Sequence, residues 1–314
     1  MPSSPDSPAP APFPIGLLAG HGIGPEIAAA AATVAQALAR LQGFALDLQE
    51  IPSPENLDTR PTVAACRKIH SAGGRILAGP LREPSWSALK SALGLAVRLN
   101  PILPCPDLAQ AGPLQIRSGF LHELLVVHGP ALCLEPAARL AATRRGLLAV
   151  AARDEAWREP SREWAAAHGI ELRLLDPAFA AARLLSHPKE FDVLVAPEPV
   201  GETLASLGCL LMGGRALGFG FSRSPDGLGF FQPNHGTADD LAGSGLSDPC
   251  GLLFALAALM EDAGRPACAN LLRNAIRRAW KHGWRTTDVA APGLRTLGTD
   301  AMAAKIIASL EATE

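Results

Sequence analysis

No tyrosine occurs anywhere in the 314 residues, and aromatic side chains of all kinds make up only 5% of the chain. Any reaction that needs a phenol as proton donor is thereby excluded, whatever the fold. Charge imbalance is missing too: 28 basic residues stand against 30 acidic ones, a formal net charge of -2. Nothing in that balance draws the chain to nucleic acid or to an anionic membrane. The six cysteines, at positions 66, 105, 133, 209, 250 and 268, form no C-x-x-C pair and have no close histidine spacing. That pattern fits reduced thiols in the cytoplasm better than a disulfide framework or a structural zinc site. Residues 251–260, the longest apolar run near the end, are too few to span a bilayer, and the first residues lack a basic segment followed by an apolar one. A cytoplasmic globular protein is expected, neither exported nor inserted in a membrane.

What is present is a chain with 48% hydrophobic residues, enough to bury a substantial core in one large or two moderate domains. Residues 1–14 are rich in proline and serine and read as a disordered or polyproline-like tail. The apolar run 15–19 reads as a buried strand. It is followed at once by Gly20-His21-Gly22-Ile23-Gly24-Pro25-Glu26 and an alanine-rich helix ending at Gly43. Pro25 suits the first helical turn, and Glu26 suits the positive end of the helix dipole. The three glycines do not have the G-x-G-x-x-G spacing, so alone they mark only a tight strand-to-helix turn. Strand-like pieces at 75–78, 124–127 and 146–152 alternate with helical ones at 137–144, 251–261 and 266–282, the pattern of an α/β fold.

Residues 231–249, FQPNHGTADDLAGSGLSDP, combine a His-Gly pair, further glycines and a carboxylate five residues after the histidine. That is loop chemistry. Gly236, Gly243 and Gly245 let backbone approach a planar or phosphorylated ligand where side chains would collide. Asp240 could accept hydrogen bonds from a diol such as a ribose. A glycine-rich surface turn with a capping aspartate is the plainer alternative.

With its spacing of Pro233, His235, Gly236, Asp240, Ala242, Gly243, Gly245 and Pro249, this loop resembles the adenosine-binding loop of the isocitrate and isopropylmalate dehydrogenases. These are metal-dependent β-decarboxylating dehydrogenases. Gln232 and Asp248 stand where the family usually has glutamate and asparagine. GHGIGPE at 20–26 is similar to the family's GDGIGPE opening, and residues 172–206 resemble its strand, helix and metal-binding turn. The resemblance spans roughly residues 15–310. It implies an α/β, isopropylmalate-dehydrogenase-like fold: a large mixed sheet flanked by helices, in two interleaved domains. Residues 15–100 with 214–314 would form the cofactor-side domain, and 101–213 the dimerisation and substrate side.

The same resemblance assigns roles. His235, Gly236, Asp240 and Asp248 fall on cofactor positions, which implies NAD. Lys90, Arg98 and His128 fall in the substrate-binding stretches that hold a small carboxylate. Lys90 and His128 stand where the family has arginines, and Arg98-Leu99-Asn100-Pro101 resembles its asparagine-leucine-arginine-proline run with the basic and amide positions exchanged. Lysine keeps the charge without the two-pronged grip. Arg153 falls on the catalytic lysine, and a guanidinium is a poor general base near neutral pH. Asp176 and Glu202 fall on ligands of Mg²⁺ or Mn²⁺, with Ser206 at the third position. Asp176 would be offered to a neighbouring subunit, in a homodimer or a hetero-oligomer with a related subunit.

The catalytic tyrosine is absent, together with most of the arm that carries it. The expectation is a diverged, NAD-binding member without the standard oxidative decarboxylation, in a regulatory or non-catalytic role. The competing expectation is an NAD-dependent dehydrogenase acting on a small 2-hydroxy acid by altered chemistry, with His128 or Lys90 near the reacting centre. A scaffold with no ligand is the third.

Overall fold

The computed structural model describes residues 11–55, 57–108, 111 and 122–312. Ten strands form one continuous sheet: β1 (Phe13–Leu18), β2 (Leu46–Ile51), β3 (Arg75–Ala78), β4 (Val97–Ile102), β5 (Leu124–His128), β6 (Leu147–Ala151), β7 (Glu171–Leu175), β8 (Val193–Ala196), β9 (Phe219–Arg223) and β10 (Gly229–Pro233). Their order is β2-β1-β3-β10-β9-β4-β5-β8-β6-β7. Parallel pairs make up both wings, while β10-β9, β9-β4 and β4-β5 are antiparallel. A large mixed sheet is what the sequence implied. Strands β1, β2 and β3 from the first part of the chain stand beside β9 and β10 from the last part. The expected boundary between residues 100 and 101 falls inside β4, and the sheet runs across it without a break.

Two expectations are corrected. The proline-rich tail does not extend to Pro14: Phe13 and Pro14 already belong to β1, where the Phe13 N–H donates to the Ala45 carbonyl at 2.8 Å. Proline is tolerated there because it stands near the start of the strand. The remainder of the expected tail, residues 1–10, lies outside the described residues. Likewise, Phe231, Gln232 and Pro233 are buried in β10, so the loop begins only at Asn234.

Helices cover the sheet on both sides: α1 (Gly24–Leu41), α2 (Arg60–Ser71), α3 (Ser85–Leu93), α4 (Leu134–Thr143), α5 (Glu155–His168), α6 (Pro177–Ser186), α7 (Val200–Met212), α8 (Cys250–Asp262), α9 (Pro266–Lys281) and α10 (Thr299–Glu311). Helix α8 is apolar around its whole circumference and is buried from Cys250 to Met260, the signature of a core helix rather than a surface one. It packs on β3, β9 and β10 beneath α1 and α9. Helices α2 and α3 cover the opposite face of that wing, α4 and α5 one face of the other wing, and α6 and α7 its other face.

Candidate active site

A pair of cavities lies where three loops meet the central strands. The turn after β1, the loop after β3 and residues 234–249 are tied together through backbone. His21 N–H donates to the Pro80 carbonyl at 2.8 Å, and Ile23 N–H donates to the Thr237 carbonyl at 2.9 Å. Gly22 has a φ of +58°, and a Cβ there would overlap the Thr237 carbonyl oxygen, so this crossing requires glycine. Arg82 and Asp239, both exposed, form an ion pair across the same junction. A crevice beside the carboxyl ends of β1, β3 and β10 is the usual ligand position in an α/β sheet.

The larger cavity, about 490 Å³, is lined by Ile23, Arg215, His235, Gly236, Asp248 and Asp288 among others. Burial lowers the His235 pKa. Its Nδ1 lies 2.9 Å from the Gly236 carbonyl, which can only accept, so Nδ1 carries the proton and Nε2 is left as an acceptor. That Nε2 is buried and has no hydrogen-bond partner. Asp248 is only 1% exposed and is used by the fold: Oδ1 accepts from the Cys250 N–H at 2.8 Å, and Oδ2 from the Thr286 hydroxyl at 2.7 Å. Asp240 is exposed and lines neither cavity. Asp288 does line the larger one: its side chain keeps a solvent-exposed edge, yet partial desolvation against the cavity wall, reinforced by the Asp248 charge, raises its pKa. Sequence reasoning missed Asp288 as a site residue, although the Trp284-Arg285-Thr286-Thr287-Asp288 turn was itself a signal.

The smaller cavity, about 240 Å³, shares His235 and Gly236 with the first. Arg98 in β4 stands directly opposite His128 in β5, and Asn100 follows two residues on, so the three share one face. A Cβ at Gly220 would overlap Asn100 Oδ1 and lie 3.1 Å from Arg98 Cζ, so the missing side chain leaves room for both. Arg98 Nη2 donates to Asn234 Oδ1 at 2.9 Å and Nε to Asn100 Oδ1 at 3.3 Å, while Nη1 is buried without a partner. Burial pushes the Arg98 pKa down to about 10, still charged at neutral pH. His128 is 2% exposed and its Nδ1 donates to Glu198 Oε1 at 3.2 Å. Lys90 Nζ, from α3, lies 3.2 and 3.0 Å from the two Glu198 oxygens. The His128 hydrogen bond, and then Lys90, hold the Glu198 carboxyl down at about 2. Glu198 was not singled out from the sequence, although it sits inside the matched stretch 172–206.

The substrate candidates Lys90, Arg98 and His128 are thus brought to one neighbourhood. Arg153 and Asp176 are brought elsewhere. Arg153 follows β6 and Asp176 follows β7, and Arg153 Nε lies 2.5 Å from Asp176 Oδ2 in an exposed ion pair. Asp176 also caps α6 by accepting from the Ala178 N–H at 2.9 Å. Because β7 lies two strands from β8, the chain places Asp176 on the order of 10 Å from the turn bearing Glu202. Within one chain, Asp176 and Glu202 therefore do not fit a shared Mg²⁺ or Mn²⁺ site, and Ser206, which lines the smaller cavity, adds no charge.

A family model described as isocitrate/isopropylmalate dehydrogenase matches residues 142–306, more than half of the chain. The chain belongs to the isocitrate/isopropylmalate dehydrogenase family. Among curated relatives, the 3-isopropylmalate dehydrogenase of Gloeobacter violaceus is 26% identical, over 95% of this chain and 98% of the relative. That of Halalkalibacterium halodurans is 29% identical with the same coverage. Of solved structures, isocitrate dehydrogenase from Methylococcus capsulatus superposes with a TM-score of 0.82 at 22% identity, covering 96% of this chain and all of the other. The TT0538 protein from Thermus thermophilus gives 0.83 at 20% identity, covering 96% of this chain and 68% of the other. Both structural likenesses bear out the family fold.

Proposed function

We propose that this chain is a nucleotide-binding member of the family that takes NAD in the larger cavity and does not carry out the standard metal-dependent oxidative decarboxylation. The observation that carries the reading is His235: it belongs to both cavities and presents a buried, unpaired acceptor nitrogen. An amide or ribose hydroxyl of a dinucleotide supplies the missing donor. Asp288 would accept from a diol inside the cavity, with Asp240 on the exposed side of the same loop and Gly236 leaving backbone open to the ligand. Against decarboxylation stand the absence of tyrosine and the arginine at position 153, already paired to Asp176. In this reading the chain works in the cytoplasm as a homodimer or beside a related subunit, which the exposed Arg153–Asp176 pair would face. Among the described residues no helix is long and apolar enough to cross a membrane.

A second reading, an NAD-dependent dehydrogenase of a small 2-hydroxy acid with altered chemistry, is favoured by the adjoining smaller cavity. Its unpaired Arg98 Nη1 offers a charged donor to a carboxylate. Calorimetric titration with NAD, NADH and ADP tests the first reading: saturable binding that weakens in His235→Ala is expected, and absence of binding by all three nucleotides overturns it. Absorbance at the reduced-nicotinamide band with a panel of small 2-hydroxy acids separates the two readings. Turnover that disappears in Arg98→Gln supports the second.

A further inference from the structure

At the wall of the smaller cavity, three side chains converge on one point: His128 at the end of β5, Glu198 in the turn after β8 and Glu202 in the first turn of α7. Their donor atoms all lie within 4.8 Å of one another. We infer that His128, Glu198 and Glu202 form a site for a divalent first-row transition ion such as Zn²⁺ or Co²⁺. This donor set differs from the Asp176 and Glu202 pair that the family resemblance offers.

Four observations carry the inference. The fold fixes the histidine, while the exposed Glu198 and Glu202 are free to swing onto an ion: a Cβ at Gly201 would overlap the Cβ of His128, so only glycine lets α7 close on the histidine, and Gly201 N–H donates to the Pro197 carbonyl at 2.8 Å. A tetrahedral ion with bonds of about 2.0–2.2 Å holds its donors about 3.3–3.6 Å apart, so donor atoms that now lie within 4.8 Å of one another must draw in by about 1 Å or somewhat more, and an ion bound to His128 Nδ1 would take the place of the proton it now gives to Glu198. One imidazole with two carboxylates suits zinc, cobalt, manganese or iron, whereas Mg²⁺ prefers oxygen ligands alone. Finally, the cavity that His128 and Glu202 line also holds Gln232, only 9% exposed, whose Oε1 is buried with no partner. An orphaned acceptor there calls for a donor, and water brought in by a hydrated cation provides one.

Lys90 Nζ already stands against both Glu198 oxygens, so that carboxylate already faces a cation and Lys90 competes with the ion. None of the three ligands lines the larger cavity, but His128 and Glu202 share the smaller one with His235, so the metal titration is made without nucleotide and its outcome does not depend on the nucleotide reading.

The test is Co²⁺ titration of the full chain, followed by visible absorption and by calorimetry, with Zn²⁺ and Mg²⁺ as competitors. Expected are one ion per chain, displacement by Zn²⁺ but not by comparable Mg²⁺, and tighter binding in Lys90→Met. Glu198→Gln and Glu202→Gln, which keep side-chain shape, should each weaken binding by more than about tenfold. Co²⁺ binding undiminished in both glutamine variants, or equal competition by Mg²⁺, would overturn the assignment. So would loss of binding in Asp176→Asn, which would instead locate the ion in a site shared between subunits.

Discussion

Gly201→Ala should destabilise the protein, although alanine is the better helix former. The added Cβ would overlap the Cβ of His128 and lie 2.9 Å from its Cγ and 3.2 Å from the Ala196 carbonyl oxygen. Carbon atoms pack best at about 3.5–4.0 Å. Neither neighbour is the free end of a flexible side chain: His128 is held by β4 and β8 on either side, and Ala196 is backbone in β8. Overpacking of this kind costs about 1–3 kcal/mol, while replacing glycine in a helix returns at most about 1 kcal/mol. A net loss of up to about 3 kcal/mol follows, about 1–2 kcal/mol for a mid-range clash. Each kcal/mol moves the melting temperature by roughly 2–4 °C in chains of about 150–250 residues, and somewhat less in a longer one. The assay is thermal and urea denaturation beside Gly236→Ala, where a Cβ meets nothing within 4 Å and the change should stay within about 0.5 kcal/mol. A Gly201→Ala protein that melts at or above the parent temperature would refute the claim that α7 closes rigidly on His128.

Two further substitutions separate structural from ligand-binding carboxylates. Asp248→Ala leaves the buried Thr286 hydroxyl and the Cys250 N–H without their acceptor and should cost about 2–4 kcal/mol in a denaturation midpoint; unchanged stability with lost nucleotide affinity would restore Asp248 as primarily a ligand residue. Asp288→Asn should act the other way. The folded protein holds that proton more tightly than the unfolded chain, so stability falls as pH rises from the unfolded value toward and through the raised folded one, and the penalty persists above it. The amide should therefore stabilise the protein at pH 7 and remove that slope, while weakening nucleotide binding. A pH–stability profile identical to the parent's would show that Asp288 is not under this strain.

Much of the fold was legible from residue order. The strand before the glycine turn, the alanine-rich helix α1, the apolar α8 and the strands near residues 75, 124 and 147 all appear where periodicity and capping signals put them. Local chemistry suffices there, because an apolar run of five residues or an unbroken alanine segment has few alternatives. The start of order was less legible. Phe13 and Pro14 join β1 because β2 provides a parallel partner, and pairing is not a local property. The loop at 231–249 is three residues shorter than its composition suggests for the same reason: β9 and β3 claim Phe231 from either side.

The sequence by itself determined the chemistry available to this protein. It has no phenol, an arginine at position 153, a balanced charge and a His-Gly loop of family spacing, and none of these depends on how the chain folds. Only the tertiary structure decided which of those groups meet. It paired Arg153 with Asp176 on an exposed edge, turned Asp248 inward as a brace, and left Asp240 outside while bringing Asp288 into the cavity. It also gathered His128, Glu198 and Glu202, with Lys90 reaching in from α3. Lys90 and Glu198 are 108 positions apart in the chain, and their approach follows from β4 and β8 lying on either side of β5. Strand order is a global solution to burying apolar faces, so a linear reading can name the candidates while the sheet alone sets their neighbours.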